Sequence, residues 1–365
     1  MYSPPERLLL GPGPSNAAPT VLQAMNSKLI GHLDPEFIKM MEEIKSMLRL
    51  IFKTENEMTF PVSGTGSAGM ETCFVNLIEP GDEVIIGVNG VFGMRMCDVA
   101  ERCGANVIKV EAEWGNIIEP SAIKSALKNC RPKIVAIVHA ETSTGALTPV
   151  EEISRITHEA EALLLLDTVT SLGGCPVSID EWQVDAVYSG TQKCLSCPPG
   201  LAPVSFSPNA MEVISKRNSK VQSWYLDINF LANYWGSERI YHHTAPISMN
   251  YAIHEALQLV LAEGLEIRWN RHQKAHETLK RGLAKFGLSI TSQEGHQLWQ
   301  LNAVGVPSNV NEEKIRNQLL NEFGIEVGPG LGPLKGKIWR VGLMGHNATD
   351  ENVEHFLEAL SKCLP

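Results

Sequence analysis

KIVAIVHAETSTGALTPVEEISRITHEAEALLLLD, residues 133–167, carries the clearest indication of a fold class in this sequence. It begins and ends with dense apolar runs, KIVAIVH (133–139) and ALLLLD (162–167), each of the length of one strand. Such runs are typical of strands that are buried on both faces of a parallel sheet. VEEISRITHEAEA (150–162) lies between them as a crossover helix. The stretch therefore predicts two parallel strands joined by a helix.

The alternation of strand and helix continues on both sides of this unit. DEVIIGV (82–88), NVIKVEA (106–112) and VDAVYSG (184–190) read as further strands. PEFIKMMEEIKSMLRLIF (35–52) carries apolar residues at spacings of three and four, which predicts an amphipathic helix. Together these elements indicate an α/β fold built on a sheet covered by helices.

The sequence changes character towards its C-terminal end. An aromatic and irregular region is followed by a long helical stretch with a predicted bend near Gly264, and the remainder mixes short strands and helices. A chain of 365 residues is long enough for two domains. We expect an N-terminal segment (1–20), a large domain (21–265) and a smaller α+β domain (266–365).

Composition excludes several classes of function. Hydrophobic residues make up 44% and charged residues 20% of the chain, and the net charge is −10. An acidic chain lacks the basic footprint of a nucleic-acid-binding protein, and no apolar stretch is long enough to span a membrane. The eight cysteines are scattered, as in reduced proteins. With no signal peptide and no peroxisomal tripeptide, a cytoplasmic protein is expected.

Residues whose side chains could take part in chemistry follow several of the predicted strands. Asp167 ends one strand, Gln192 and Lys193 follow another, and SGTGS (63–67) stands before a predicted helix. Each has an ordinary alternative: a helix cap, a solvated lysine, or a simple turn. Ligands bind at the carboxyl ends of strands in open α/β sheets, where these groups would converge. An amine, a carboxylate and a phosphate cradle together are what pyridoxal 5'-phosphate requires.

A series of motifs along the whole chain supports this interpretation. In order they are LLLGPGPSN, SGTGSAGME, EPGD, NGVFGMR, ETSTG, LLLLDTVTSLGG, YSGTQKCLSCPPG, YLDINFLANYWG, YHHTAP and GLGPLKGKIWRVGLMG. The series resembles class V pyridoxal-phosphate aminotransferases, in particular the alanine–glyoxylate and serine–pyruvate aminotransferases. The resemblance implies fold type I, with a mostly parallel seven-stranded sheet in the large domain. It also implies ping-pong transfer of an amino group from L-alanine or L-serine to glyoxylate or pyruvate.

The resemblance assigns roles to individual residues of the cofactor site. Lys193 would form the Schiff base with pyridoxal 5'-phosphate, and Asp167 would pair with the protonated pyridine nitrogen. Phe92 would stack on the ring. The remaining implied cofactor contacts within the chain are Thr65, Gly66, Ser67, Thr142, Val169 and Gln192.

Substrate and partner contacts are implied in the same way. Arg340 would bind the substrate carboxylate, Gly13 would let the backbone approach the substrate, and Thr142 would contact it. Arg340 stands in the apolar stretch KIWRVGLM, where an unpaired charge would be costly. Tyr241 and Thr244 would reach the active site of the partner subunit in a homodimer. Small amino acids and 2-oxo acids would be the substrates.

Three other functions compete with this one. A ureidoglycine–glyoxylate aminotransferase is a near relative, although the family pattern there has asparagine where Tyr241 stands. A cysteine desulfurase needs a mobile cysteine, and Cys194 is too close to Lys193 to swing freely. A regulator that keeps the cofactor without catalysis is disfavoured by the complete set of Lys193, Asp167 and Arg340.

Two residue pairs suggest a metal site, and neither is convincing. Cys194 and Cys197 form a single CxxC, which is weak without a second pair. His242 and His243 are adjacent, so their side chains would point in opposite directions in a strand. We expect no metal site.

Overall fold

The computed structural model describes residues 3–365. Its helices are α1 (Pro19–Met25), α2 (Pro35–Phe52), α3 (Gly66–Leu77), α4 (Val91–Arg102), α5 (Pro120–Ala126), α6 (Glu151–Glu159), α7 (Pro208–Ser215), α8 (Ile228–Trp235), α9 (Ile247–Glu263), α10 (Leu265–Ala284), α11 (Glu312–Phe323) and α12 (Asp350–Cys363). Its strands are β1 (Leu8–Leu9), β2 (Met58–Ser63), β3 (Glu83–Val88), β4 (Asn106–Glu111), β5 (Ile134–Val138), β6 (Ala140–Glu141), β7 (Ala146–Leu147), β8 (Leu163–Asp167), β9 (Ala186–Tyr188), β10 (Leu201–Phe206), β11 (Leu301–Gly305), β12 (Ile325–Glu326), β13 (Gly328–Pro329) and β14 (Ile338–Gly342).

A seven-stranded sheet forms the centre of the larger part of the chain. Its strand order is β2-β10-β9-β8-β5-β3-β4. β10 runs antiparallel to both of its neighbours, and the other pairs are parallel. The predicted α/β class and the mostly parallel sheet are therefore confirmed. Because parallel strands end at the same edge, Asp167 at the end of β8 lies directly opposite Tyr188 at the end of β9.

Helices cover this sheet on both faces, as the side chains of β5 show. Ile134, Ala136 and Val138 of β5 face one apolar core, which also contains residues of α3, α4 and α8. Val135 and Ile137 face the other core, which contains residues of α2, α6 and α9. Successive side chains of a strand point to opposite faces, so a strand covered on both sides must be apolar throughout. This is why β5 reads as an unbroken apolar run.

A smaller three-stranded antiparallel sheet, with the order β11-β14-β13, follows α10. It has an apolar core of its own, to which α10, α11 and α12 contribute. β1 pairs with β12, so the N-terminal segment is joined to this part of the chain. Gly264, with φ of 83°, separates α9 from α10 at the predicted bend. The division into 1–20, 21–265 and 266–365 stays a prediction.

A helix that crosses a bilayer must be both long and apolar. Within residues 3–365, no helix has both properties to the degree required.

Candidate active site

Lys193 and Asp167 lie at the carboxyl edge of the large sheet, and both side chains are buried. Lys193 follows β9, and its amine donates a hydrogen bond to the carbonyl oxygen of Pro12. Burial lowers the pKa of Lys193 to about 8. Burial also raises the pKa of Asp167 to about 7, against the opposing effect of its hydrogen bonds. The predicted amine and carboxylate thus share one water-poor region, in which each ionises less readily than in water.

Tyr188 and the backbone hold the carboxylate of Asp167 in place. The Tyr188 hydroxyl donates to one oxygen over 2.7 Å, and the amide of Val169 donates to the other over 2.8 Å. Tyr188 is fully buried, and sequence reasoning did not select it. Its position at the end of β9, opposite the end of β8, was the one signal that could have identified it.

The N-terminal segment packs directly on Lys193. Ser15 bonds the backbone on both sides of the lysine: its amide donates to Gln192 O over 2.9 Å, and its hydroxyl donates to Lys193 O over 2.8 Å. A Cβ atom at Gly13 would stand 2.6 Å from the amine of Lys193, and φ of Gly13 is +103°. Only glycine tolerates this backbone conformation and this close approach together.

The SGTGS loop leads into α3 beside the same lysine. Thr65 is the N-cap residue of α3, and its side chain makes no capping hydrogen bond. A Cβ atom at Gly66 would stand 3.4 Å from Val169 and 3.5 Å from the Ser189 carbonyl oxygen, so this helix start adjoins the loop that follows β9. Thr65 and Ser67 are exposed. The first amides of a helix have no partner within it and attract anions.

Gln192 adds a polar group that has no partner. Its Oε1 atom is buried and makes no hydrogen bond to any residue that the structure describes. Of the two ends of this amide, only the Nε2 group could donate to an anion, since Oε1 is an acceptor. The uncapped start of α3 and the hydroxyls of Thr65 and Ser67 supply further donors, and together these groups fit a phosphate.

Phe92 and Thr142 come from separate segments of the chain at the same edge of the sheet. Phe92 lies in the first turn of α4, and the guanidinium of Arg95 lies 5.0 Å from its ring centroid. Thr142 is buried immediately after β6. Glu141 links the two: its carboxylate accepts the amide of Phe92 over 3.1 Å and that of Ser143 over 3.0 Å. Sequence reasoning did not select Glu141.

Arg340 brings a second basic group to the candidate site besides Lys193, and it is buried in β14. Its Nε donates to Pro329 O over 2.7 Å, and its Nη1 donates to Thr142 O over 3.2 Å. Both acceptors are backbone carbonyls, and within residues 3–365 no carboxylate accepts a hydrogen bond from this guanidinium. Burial lowers the pKa of Arg340 to about 10, and the charge of Glu141 partly offsets this. A buried cation of this kind is suited to an incoming carboxylate.

Tyr241 and Thr244 stand apart from these residues. Tyr241 is 59% exposed, and Thr244 is exposed as well. Between them, His243 shares a hydrogen bond of 2.8 Å with the hydroxyl of Ser63, at the start of the SGTGS loop. The segment therefore lies near the predicted phosphate region, with the two predicted side chains directed outwards.

The cysteines after the lysine are buried core residues. Burial raises the pKa of Cys194 and that of Cys197 to about 12, so both remain protonated thiols at neutral pH. Cys194 donates to the carbonyl oxygen of Thr170 over 3.2 Å. Residues 3–365 contain no group of three or more His, Cys, Asp or Glu side chains that could hold a metal ion.

The chain is similar to known proteins over its whole length. Residues 7–356 match the family described as aminotransferase class-V. An alanine–glyoxylate aminotransferase of Mus musculus is 40% identical over 99% of this chain and 88% of its own. An (S)-ureidoglycine–glyoxylate transaminase of Bacillus subtilis is 39% identical over 99% of this chain and 91% of its own.

A solved structure confirms the predicted fold type. The crystal structure of an alanine–glyoxylate aminotransferase from Nostoc sp. superposes with a TM-score of 0.99 and 50% identity, over 100% of this chain and 97% of that one. The family match and the superposition both include all the candidate site residues, which extend from Gly13 to Arg340. The chain therefore belongs to the class-V aminotransferase family.

Proposed function

We propose that the protein is a pyridoxal-phosphate-dependent aminotransferase that moves the amino group of L-alanine or L-serine to glyoxylate or pyruvate. One observation carries the proposal: a buried lysine with a pKa of about 8 lies at the same sheet edge as a buried carboxylate. Arg340, a buried arginine without a carboxylate partner, is close enough for its charge to lower the pKa of Lys193. The names of the mouse and Nostoc relatives support glyoxylate as the acceptor.

The residues present fit pyridoxal 5'-phosphate. Gly66, Ser67, Thr65 and the free amide of Gln192 would hold its phosphate, and Phe92 and Val169 would enclose its ring. When bound, the cofactor supplies an aldehyde that links covalently to amines and an electron-poor ring that stabilises negative charge on the substrate. Asp167 would face the ring nitrogen, because its carboxylate is fixed at the end of β8 by two hydrogen bonds.

Lys193 has the properties of the group that moves the proton. Its pKa of about 8 leaves a substantial neutral fraction near pH 7.5, and a neutral amine can accept a proton from the α-carbon of an amino acid. The Pro12 carbonyl and the backbone at Gly13 limit where the amine can move. Lys193 can then return the proton to the other carbon of the reacting system.

Arg340 would orient the substrate during this transfer. Its two backbone contacts leave donors on the guanidinium for a bidentate interaction with a carboxylate. Every α-amino acid and 2-oxo acid carries that carboxylate, so one arginine serves both halves of a ping-pong reaction. Thr142, whose carbonyl holds Arg340, would contact the same substrate.

We propose further that the protein works as a homodimer in which Tyr241 and Thr244 reach the partner's site. Several apolar side chains are exposed in the segments that contact Tyr241 through His32 and its neighbour His242 through Trp224 and Phe230, which is costly for a free surface. They are Leu29 (68% exposed), Leu33 (48%), Trp224 (62%) and Phe230 (43%).

We also propose the division into two domains at residue 265, and the separate apolar cores on either side support it.

A cytoplasmic location is proposed on the state of the cysteines. All eight are free thiols, and seven of them are buried. Free buried thiols are usual where the surroundings are reducing.

Ureidoglycine is the second candidate donor. The Bacillus subtilis relative, at 39% identity, is named for that substrate, so the similarity does not separate the two donors. A difference of one small group in a donor is worth only about 1–3 kcal/mol of discrimination, which must be measured.

The test follows the absorption of the bound cofactor in the purified enzyme. L-Alanine without an acceptor is expected to convert the cofactor once and stop, and glyoxylate is then expected to restore the starting spectrum. L-Serine, glycine and ureidoglycine, each added alone, would rank the donors. Continuous turnover without an acceptor, or full activity in Lys193→Ala, would overturn the proposal.

A further inference from the structure

Glu141 is a buried acid for which the proposed reaction has no use. Its side chain is 0% exposed. It accepts hydrogen bonds from the Ser143 hydroxyl over 2.6 Å, the Ser143 amide over 3.0 Å and the Phe92 amide over 3.1 Å. All of these groups are donors, so they favour the carboxylate over the carboxylic acid and oppose the rise in the pKa of Glu141 that burial causes.

The hydrogen bonds of Glu141 cap α4, a helix that follows β3, whereas Glu141 itself follows β5. α4 begins after Gly90, which has no side chain to cap it. Glu141 takes the amide of Phe92, and the Ser143 hydroxyl takes the amide of Val91 over 2.9 Å. A negative charge at a helix N-terminus is favourable because it meets the positive end of the helix dipole. A Cβ atom at position 90 would stand 2.4 Å from the Glu141 carboxyl carbon, so glycine makes this approach possible.

The same loop holds the substrate-binding cation. Thr142 lies between Glu141 and Ser143, and its carbonyl oxygen accepts the hydrogen bond from Arg340 over 3.2 Å. One carboxylate therefore fixes, through short contacts, the loop that orients Arg340 and the helix turn that carries Phe92. Displacing the Glu141 loop would change the position of the guanidinium relative to the ring-stacking side chain.

We propose that ionised Glu141 is a positioning residue, which sets the placement of Arg340 and Phe92 by capping α4 from the neighbouring loop. The proposal rests on the proposed aminotransferase function. Glu141 does not touch substrate; it acts through Thr142 and through the backbone of Phe92. Its charge also raises the pKa of Lys193 from a distance, and Cys194, Arg340 and Asp167 influence the same pKa.

The decisive variant is Glu141→Gln, which keeps the shape and one acceptor but removes the charge. Its matched control is Asp185→Asn, at the opposite edge of the sheet. Asp185 is also a buried carboxylate that accepts several bonds: the Leu164 amide at 2.9 Å, the Ser207 hydroxyl at 3.0 Å and the ring of His158 at 2.9 Å. Both variants lose a buried charge, and only one of them lies next to the loop of Arg340.

Two measurements on the cofactor-loaded proteins separate positioning from stability. The first is the dissociation constant of propionate, a carboxylate that cannot react, read from the cofactor absorption. Glu141→Gln is expected to raise this dissociation constant about tenfold, which is the lower end of the range for losing one hydrogen bond to a charged group. The second is the pH midpoint of the cofactor absorption, which is expected to fall because a negative charge near the Lys193 nitrogen is lost. Asp185→Asn is expected to change neither, although it lowers the unfolding temperature.

Ser143→Ala separates the geometry of the cap from its charge. It removes the bonds of the hydroxyl to Val91 and Glu141 and leaves the carboxylate in place. Weaker propionate binding with an unchanged pH midpoint is expected. If Glu141→Gln matches Asp185→Asn in both measurements, the positioning role is wrong. If the wild-type protein shows no cofactor absorption or no response to L-alanine, the proposed function itself has failed instead.

Discussion

The hydroxyl of Tyr188 donates a hydrogen bond to Asp167 over 2.7 Å, between the last residues of two parallel strands. Both residues are buried, so neither group can exchange its partner for water. The bond fixes the face that the carboxylate presents to the site, and it opposes the rise in the pKa of Asp167 that burial causes. The register of β8 and β9 thus sets the position of a proposed catalytic group.

Removing that hydroxyl is expected to weaken both the fold and cofactor binding. Tyr188→Phe leaves one oxygen of a buried carboxylate without its donor, which costs about 1–3 kcal/mol. The pKa of Asp167 is expected to rise further, so a smaller fraction is ionised and the dissociation constant of pyridoxal 5'-phosphate increases at neutral pH. Denaturant unfolding and cofactor titration measure the two effects. Tyr251→Phe is the control, because the Tyr251 hydroxyl bonds Lys28 O at the surface, and no change in cofactor affinity is expected there.

β10 is a strand of the large sheet that sequence reasoning did not identify. LAPVSF contains Pro203, and a proline within a run argues against a central strand because it has no amide hydrogen to donate. In the structure β10 lies between β2 and β9, and Pro203 is paired with Pro61 of β2. The Pro203 carbonyl still accepts the amide of Ser189 over 2.7 Å. Local rules reject this strand because its stability comes from partners that are distant in sequence.

The same limit explains which residues of the proposed site could be predicted from the sequence. Lys193 and Asp167 stand at the ends of recognisable strands, where the parallel sheet places ligands, so their convergence was predictable. Glu141 caps a helix that begins at Val91, and Tyr188 faces Asp167 across two strands. These contacts depend on register and loop paths that no periodic pattern encodes. The roles of Tyr241 and Thr244 stay predictions, since they require a second subunit.

Arg340→Lys is expected to lower kcat/KM for L-alanine and for glyoxylate to a similar extent, by about 30-fold. A lysine keeps the charge and loses the planar fork, so it cannot hold both Pro329 O and a bidentate carboxylate. Steady-state kinetics with each substrate varied measure the effect. Arg155→Lys, in a surface pair with Glu152, is the control and should retain wild-type kinetics. A loss confined to one of the two substrates would contradict a shared carboxylate site.

The pKa of Lys193 predicts how the stability of the cofactor-free protein depends on pH. The folded value is about 8 and the usual value is 10.5, so between them the unfolded chain binds a proton that the folded chain does not. Stability therefore rises with pH across this window, by about 3 kcal/mol in total. Lys193→Met has no titrating amine, so the wild-type free energy of unfolding should increase relative to that of the variant from pH 8 to pH 10.5. Parallel curves would mean that the amine is not desolvated.

Gly13→Ala is expected to impair the site without a change at any polar group. The added methyl carbon would stand 2.6 Å from the Lys193 amine, and φ of +103° is strained for alanine. Either the N-terminal segment or the lysine must move, so pyridoxal 5'-phosphate is expected to bind more weakly and L-alanine to convert it more slowly. Gly81→Ala is the matched control, because φ of Gly81 is +93° and nothing lies within 4 Å of its added carbon. Cofactor titration and single-turnover absorption compare the two variants. If both variants bind the cofactor and react with L-alanine like the wild type, the contact between the N-terminal backbone and Lys193 does not restrain the amine. The position of the N-terminal segment beside Lys193 would then have no role in the reaction.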